Sequence, residues 1–215
     1  LPFRRLRRDC LDTGPAPGPP FWAGDCSGVS LGGNALLRWA AEAGSDASSH
    51  VKAVAAICSP LDLAAGGHAI GRGFNRQIYT RMFLRTMIPK ALRKWEQHPG
   101  LFDRDALLAA RDLYAFDNVF TAPVHGFRNT EDYWHRASSK PLLSHIRVPA
   151  LVVNALNDPF VPASSLPRAG EVGPCVTLWQ PRHGGHVGFA QGPWPGHVRA
   201  MPDAVSAWLT AQLPG

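Results

Sequence analysis

Ser30, Asp158 and His186 are the residues of this chain whose types and surroundings could together do covalent chemistry. Ser30 lies in Gly28-Val29-Ser30-Leu31-Gly32-Gly33-Asn34, a G-x-S-x-G pattern directly before a predicted helix. Glycines on either side of a Ser permit a sharp strand-to-helix turn that lifts the hydroxyl to a sheet edge, at the positive end of the helix, where it can act as a nucleophile. A Gly-rich helix start with a structural Ser accounts for the same residues, so the pattern needs an acid and a base beside it. Asp158 sits in Asn154-Ala155-Leu156-Asn157-Asp158-Pro159-Phe160-Val161-Pro162, immediately after the apolar run 150–155. A loop at the carboxyl end of a parallel strand would bring that carboxylate to the Ser turn, although an Asp before Pro is also an ordinary turn residue. His186 sits in His183-Gly184-Gly185-His186-Val187-Gly188-Phe189, a few residues beyond the run 175–179. An imidazole there can take the Ser proton and return it to a leaving group, with Asp158 holding its tautomer.

His183, His186 and His197 with Asp158 offer a competing use, as ligands of a metal ion. A His-x-x-His pair shares one face only on a helix, and Gly184-Gly185 disfavours a helix there. The expectation is therefore no metal and no cofactor.

The three positions form one site only if strands end just before them. Val51 to Cys58, Ala150 to Ala155 and Cys175 to Trp179 are short apolar runs of the kind that suits strands covered on both faces of a parallel sheet. Phe21 to Ser27, by contrast, is a poor strand, since Gly24, Asp25 and Ser27 are depleted in sheets. Asn34 to Ala43 reads as a buried helix stopped at Gly44, and Met201 to Leu213 as an amphipathic one. About ninety residues between the runs 51–58 and 150–155 carry helical patterning, at Phe74 to Leu84, Pro89 to Gln97 and Asp105 to Phe116. Strands alternating with helices give an α/β architecture with a helical insertion at about 62–140. Residues 1–27, with an Arg cluster and Gly14-Pro15-Ala16-Pro17-Gly18-Pro19-Pro20, read as an irregular segment preceding a core of 28–215.

Composition narrows the classes. A chain of 215 residues with 45% hydrophobic and 18% charged residues is long and apolar enough for a core, which excludes a small disulfide scaffold and disorder. The net charge of +6 includes Arg4, Arg5, Arg7 and Arg8, leaving about +2 elsewhere, too little for nucleic-acid binding. As an anionic-surface tether, that Arg cluster lacks an amphipathic face. Cys10, Cys26, Cys58 and Cys175 form no C-x-x-C pair, and no apolar run reaches membrane-spanning length or follows the basic start as a signal peptide. These features read as a soluble, cytoplasmic protein.

The chain resembles the α/β-hydrolases of the bacterial YheT type, related to plant EMB8-like proteins and mammalian abhydrolase-domain lipases and esterases. The resemblance runs from about Gly28 to the C-terminus. It includes the Ser30 heptapeptide, Phe116-Asp117, Thr121-Ala122-Pro123, His125-Gly126-Phe127, Asp132-Tyr133-Trp134 with Ala137-Ser138, Asn157-Asp158-Pro159-Phe160, and residues 183–189. It implies Ser30 as nucleophile, Asp158 as acid, His186 as base and His183 as a neighbour. It further implies the Leu31 amide as an oxyanion donor, a helical cap over the insertion, and carboxylic esters, lipid-like or small, as substrates. Phe74, Tyr79, Met82, Phe83, Leu84, Met87 and Ile88 could wall an acyl chain or simply pack the cap. Such proteins carry four or so strands and a His-Gly loop before the nucleophile, and here 29 residues precede Ser30. The chain thus reads as the C-terminal portion of an α/β-hydrolase sheet flanked by helices. Its alternative is a hydrolase-fold protein that binds without catalysis.

Overall fold

The computed structural model describes residues 24–194 and 196–212; the Arg4–Arg8 cluster, the Pro/Gly run, Phe21, Trp22 and Leu213 lie outside them. Four strands pair in parallel in chain order: β1 (Gly24–Val29), β2 (Val51–Ile57), β3 (Ala150–Val153) and β4 (Val176–Trp179). Among the described residues, the α-helices longer than a single short turn are α1 (Leu31–Ala43), α2 (Leu63–Ile70), α3 (Arg81–Gln97), α4 (Arg104–Ala109), α5 (Leu113–Phe116), α6 (Thr130–Ala137) and α7 (Ala200–Thr210). The described residues divide into two compact units, 62–137 and 24–61 with 138–212.

In the sheet unit, the two-residue period of a strand sends alternate side chains to opposite faces. Val54, Ala56, Ala150 and Val152 pack with Leu36, Leu37 and Ala40 of α1, while Ala55, Ile57, Leu151 and Val153 pack with Phe189 and with Met201 and Val205 of α7. Both faces of β2 and β3 are thus covered, which is why those runs are continuously apolar. The register levels the strand ends, pairing Val29 with Ile57, Ile57 with Val153, and Val153 with Trp179. Loops leaving these four ends share one edge.

Four details depart from the sequence expectation. Gly24–Val29 is a strand despite its composition: backbone pairing with β2 needs no favourable side chain, and the pairing is irregular between Gly24 and Cys26. Helix α1 begins at Leu31, ahead of Asn34, and ends at Gly44, whose N–H bonds the Ala40 carbonyl. The patterns 74–84 and 89–97 are not separate helices, because α3 runs through Pro89, preceded by a π-helical turn at Arg76–Thr80. Pattern 105–116 breaks instead, at α4 and α5, each opened by an Asp side chain, Asp103 or Asp112, that accepts first-turn amides.

Within the helical unit, Leu84, Ala91, Phe102, Leu107, Ala110 and Phe116 form a core of their own. The buried Asp132 carboxylate accepts from the Arg128 amide at 3.0 Å and from the guanidiniums of Arg128 and Arg136, and Arg136 lies 4.8 Å over the Phe127 ring. Trp134 Nε1 donates to Asp117 at 2.9 Å. Of the seven candidate acyl-wall residues, Leu84 is in that core, Met87 and Ile88 pack against it, and Phe74 and Met82 are exposed.

Candidate active site

β1 delivers Ser30 to the levelled edge in a backbone conformation that L-residues avoid, φ 51° and ψ −126°. Such a conformation costs about 1–3 kcal/mol and persists only when its surroundings over-determine it. Here the Ser30 N–H donates to the Ile57 carbonyl at 2.8 Å, and the Ser30 carbonyl accepts from Gly33 N–H at 3.0 Å. The turn is tight at Gly28 and Gly33: a Cβ on Gly28 would lie 2.7 Å from Gly32 and Gly33 backbone, and one on Gly33 would lie 2.0 Å from Ser59 Oγ. Gly32, the second glycine of the G-x-S-x-G pattern, faces open space. The close-packed pair is therefore 28 and 33, one residue off the pattern. Behind the turn, buried Asn34 accepts from Ser139 N–H at 2.9 Å, tying the first turn of α1 to the segment that follows residue 137.

Asp158 follows β3 in the loop that the strand end dictates. Its Oδ1 accepts from the amides of Phe160 (2.8 Å) and Val161 (3.3 Å), which fixes the carboxylate and leaves Oδ2 for His186. His186 Nδ1 stands 2.8 Å from that Oδ2, and Nε2 stands 3.2 Å from Ser30 Oγ. With Asp158 ionised, Nδ1 carries the proton and Nε2 is the acceptor facing the hydroxyl. The Phe160 ring, 4.6 Å away between centroids, packs on the imidazole. Leu31 opens α1 directly after Ser30, at a position where first-turn amides have no partner within the helix. Together these groups can deprotonate a hydroxyl, attack a carbonyl carbon, and offer one donor to the oxygen that becomes negative.

Two further residues shape the site without having been legible in the sequence. Asn157 Oδ1 accepts from both Gly184 N–H and Gly185 N–H, each at 2.9 Å, binding the loop after β3 to the loop that carries His186. Cys58, next after β2 and also at positive φ, accepts the Val187 amide on its sulfur at 3.4 Å. Burial pushes the Cys58 thiol up to about 11, so it faces the site as a neutral group. Asn157 belongs to a motif whose signal went entirely to its neighbour Asp158, and Cys58 sits at the end of an apolar run without any motif.

Among the described residues, the metal-ligand types that converge within 4.8 Å are Cys58, Asp158 and His186. His183 and His197, candidates in the metal alternative, are exposed and outside that group. Within that group the Asp158 carboxylate and the His186 imidazole are bonded to each other at 2.8 Å, so a cation taking either would compete with that bond.

No helix among the described residues is long and apolar enough to cross a membrane. The chain is 32% identical over 188 residues to YheT of Escherichia coli (strain K12), an alignment covering 86% of this chain and 54% of that protein. It is also 32% identical over 202 residues to phospholipase ABHD3 of Mus musculus, covering 92% and 47%. The chain therefore spans about half the length of the curated relatives it matches. Its structure aligns with a monoacylglycerol lipase of Paleococcus ferrophilus at a TM-score of 0.54 and 16% identity, over 99% of this chain and 75% of that one, a likeness of fold. The alpha/beta hydrolase fold family matches residues 26–193, most of the chain and every residue of the relay from Ser30 to His186. With a parallel sheet, covering helices on both faces and this match in agreement, the chain belongs to the alpha/beta hydrolase fold family.

Proposed function

We propose that the chain is the catalytic part of a serine hydrolase acting on carboxylic esters through an acyl-Ser30 intermediate. The observation that carries this reading is the continuous relay from Ser30 Oγ through His186 to Asp158, at 3.2 and 2.8 Å. As Ser30 Oγ bonds to the ester carbonyl carbon, its proton passes to His186 Nε2 and the carbonyl π pair moves to oxygen, facing the Leu31 N–H. Collapse of that adduct breaks the bond to the alkoxy oxygen, which leaves as the alcohol with the proton from His186. Water then repeats the sequence: it gives a proton to Nε2, attacks the acyl carbon, and releases the carboxylic acid and free Ser30. Asp158 stays ionised throughout and stabilises the imidazolium of each half-reaction. The ester class is supported by the names of the relatives, an esterase for YheT and a phospholipase for ABHD3.

A fluorophosphonate probe tests the reading, because it reacts only with an activated Ser and is indifferent to the natural substrate. Covalent labelling at Ser30, lost in Ser30→Ala and strongly slowed in His186→Ala, is the expected result; labelling elsewhere, or undiminished labelling in Ser30→Ala, overturns it. A fold that binds without turnover is the alternative; in its favour, Leu31 is the one oxyanion donor we propose among the described residues, and loss of one donor costs about 3–4 kcal/mol of transition-state stabilisation.

A further inference from the structure

The helical unit holds a cationic groove that the Ser30 chemistry does not use. From 72 to 94 the sequence has seven Lys and Arg and no Asp or Glu. Arg76, Arg81, Arg85 and Arg111 line one open cavity of about 730 Å³, with Leu84 and Ile88 as apolar wall. The helix geometry explains how three of them meet. On a regular α-helix, residues that share a face are three or four apart, and residues five apart diverge. The π-helical turn Arg76–Thr80, with its i to i+5 bonding, inserts one residue and turns Arg76 toward the face of Arg81, one turn before Arg85.

These cations are not there to neutralise carboxylates of the fold. Among the described residues, no acidic group pairs with Arg76, Arg81 or Arg85, and Arg111 donates to the Leu108 and Ala110 carbonyls. Most acids of the same unit are engaged elsewhere: Asp62, Asp103 and Asp112 cap helices, Asp105 pairs with Arg104, Asp117 accepts from Trp134, Glu131 from Tyr114, and Asp132 pairs with Arg128 and Arg136, while Glu96 lies near the far end of α3 and does not line the cavity. Four like charges around one volume repel one another unless an anion enters it.

We propose that this groove binds an amphiphilic phosphate ester, the phosphate held by the guanidiniums and the hydrocarbon lying on Leu84 and Ile88. Planar guanidinium forks match phosphate oxygens two at a time. A carboxylate, with one charge and two oxygens, would leave most of the four cations unmatched, and an anion without a chain would leave the apolar wall wet.

Titration calorimetry of the 215-residue chain with octyl phosphate, inorganic phosphate, octanoate and octyl glucoside, all below micelle-forming concentration, tests this. Octyl phosphate is expected to bind saturably at one site, about tenfold or more tighter than the other three, with affinity that falls as salt rises. The double variant Arg81→Gln/Arg85→Gln should lose about tenfold or more, the scale of one charge-assisted hydrogen bond, with an unchanged melting temperature. Should that variant unfold, Arg76→Gln on the exposed turn replaces it, with the same expectation. Inorganic phosphate binding as tightly as the octyl ester would mean a free-anion site and overturn the amphiphile claim. Octyl glucoside matching octyl phosphate, variants binding like the parent, or no saturable binding would overturn the site.

Discussion

His183 and His186 stand three residues apart in one Gly-rich loop, and their surroundings divide their roles. His186 is bonded to Asp158 and faces Ser30, whereas His183 is exposed. His186→Ala is therefore expected to lower ester turnover by about 10⁴-fold or more, as for a triad member, and His183→Ala to leave it within a few-fold; steady-state kinetics of both variants in the same preparation would rank them, and the reverse order moves the base to His183. Asn157 bears on the same imidazole from behind, since its two bonds to Gly184 and Gly185 hold the loop that ends in His186. Removing that acceptor lets the base drift, and a misplacement of about 1 Å can cost about 10²-fold. Asn157→Ala should thus lower kcat with KM little changed, and Asn157→Asp, which keeps an acceptor oxygen, should recover most of it; an equal loss in both variants would refute a positioning role. Ser30, Asp158 and His186 are legible in the sequence because each sits in a short motif at a strand end. The Asn157 bonds are not, because a side-chain oxygen meeting amides 27 and 28 residues away leaves no spacing to recognise.

At the level of elements, legibility follows what each segment must bury. β2 and β3, covered on both faces, are continuous apolar runs and read as strands directly. β1 has little to bury, so its side chains carry no strand signal, and only the parallel register with β2 makes it a strand. Pro89 marks a break in any sequence reading, yet α3 continues through it because packing of Leu84 and Ala91 on either side outweighs one lost hydrogen bond. In α6, the motif Asp132-Tyr133-Trp134 is a packing device of the helical unit. The Arg128 amide, with the guanidiniums of Arg128 and Arg136, holds the Asp132 carboxyl down to about 2, below its ordinary 3.8. A carboxyl depressed in the folded state stabilises the fold above its unfolded pKa, and that contribution disappears as pH falls through the folded value. Asp132→Asn should accordingly lower the melting temperature at pH 7, while the difference from the parent shrinks between about pH 4 and pH 2; melts followed by circular dichroism across that window check it, and a pH-independent difference would show that charge is not what Asp132 contributes.

On the scale of the whole molecule, the sheet that positions Ser30 has β1 at one side. Among the described residues β1 pairs with β2 alone, and it exposes Asp25, Ser27 and Val29, with Val29 at 52%. Strands of parallel sheets are ordinarily covered on both faces and paired on both edges, and an unpaired edge is a template for another chain. Among the described residues no strand pairs with the outer edge of β1, which runs to the residue before the nucleophile, so a strand added there also approaches Ser30. Leu31, whose amide we propose as the oxyanion donor, lies at the same end and is 51% exposed, and near water a hydrogen bond to a developing charge is weaker than in a dry site. The 215-residue chain alone is therefore expected to self-associate and to hydrolyse esters far more slowly than relatives about twice its length. Sedimentation velocity and turnover of a p-nitrophenyl ester, measured on one preparation, test both halves together. Replacing Ser27 by Lys, a charge that edge strands use against pairing, should shift the distribution toward monomer without restoring turnover, because it removes association and adds no oxyanion donor. A monodisperse parent chain with turnover equal to those longer relatives would show that β1 needs no neighbour and that one amide suffices.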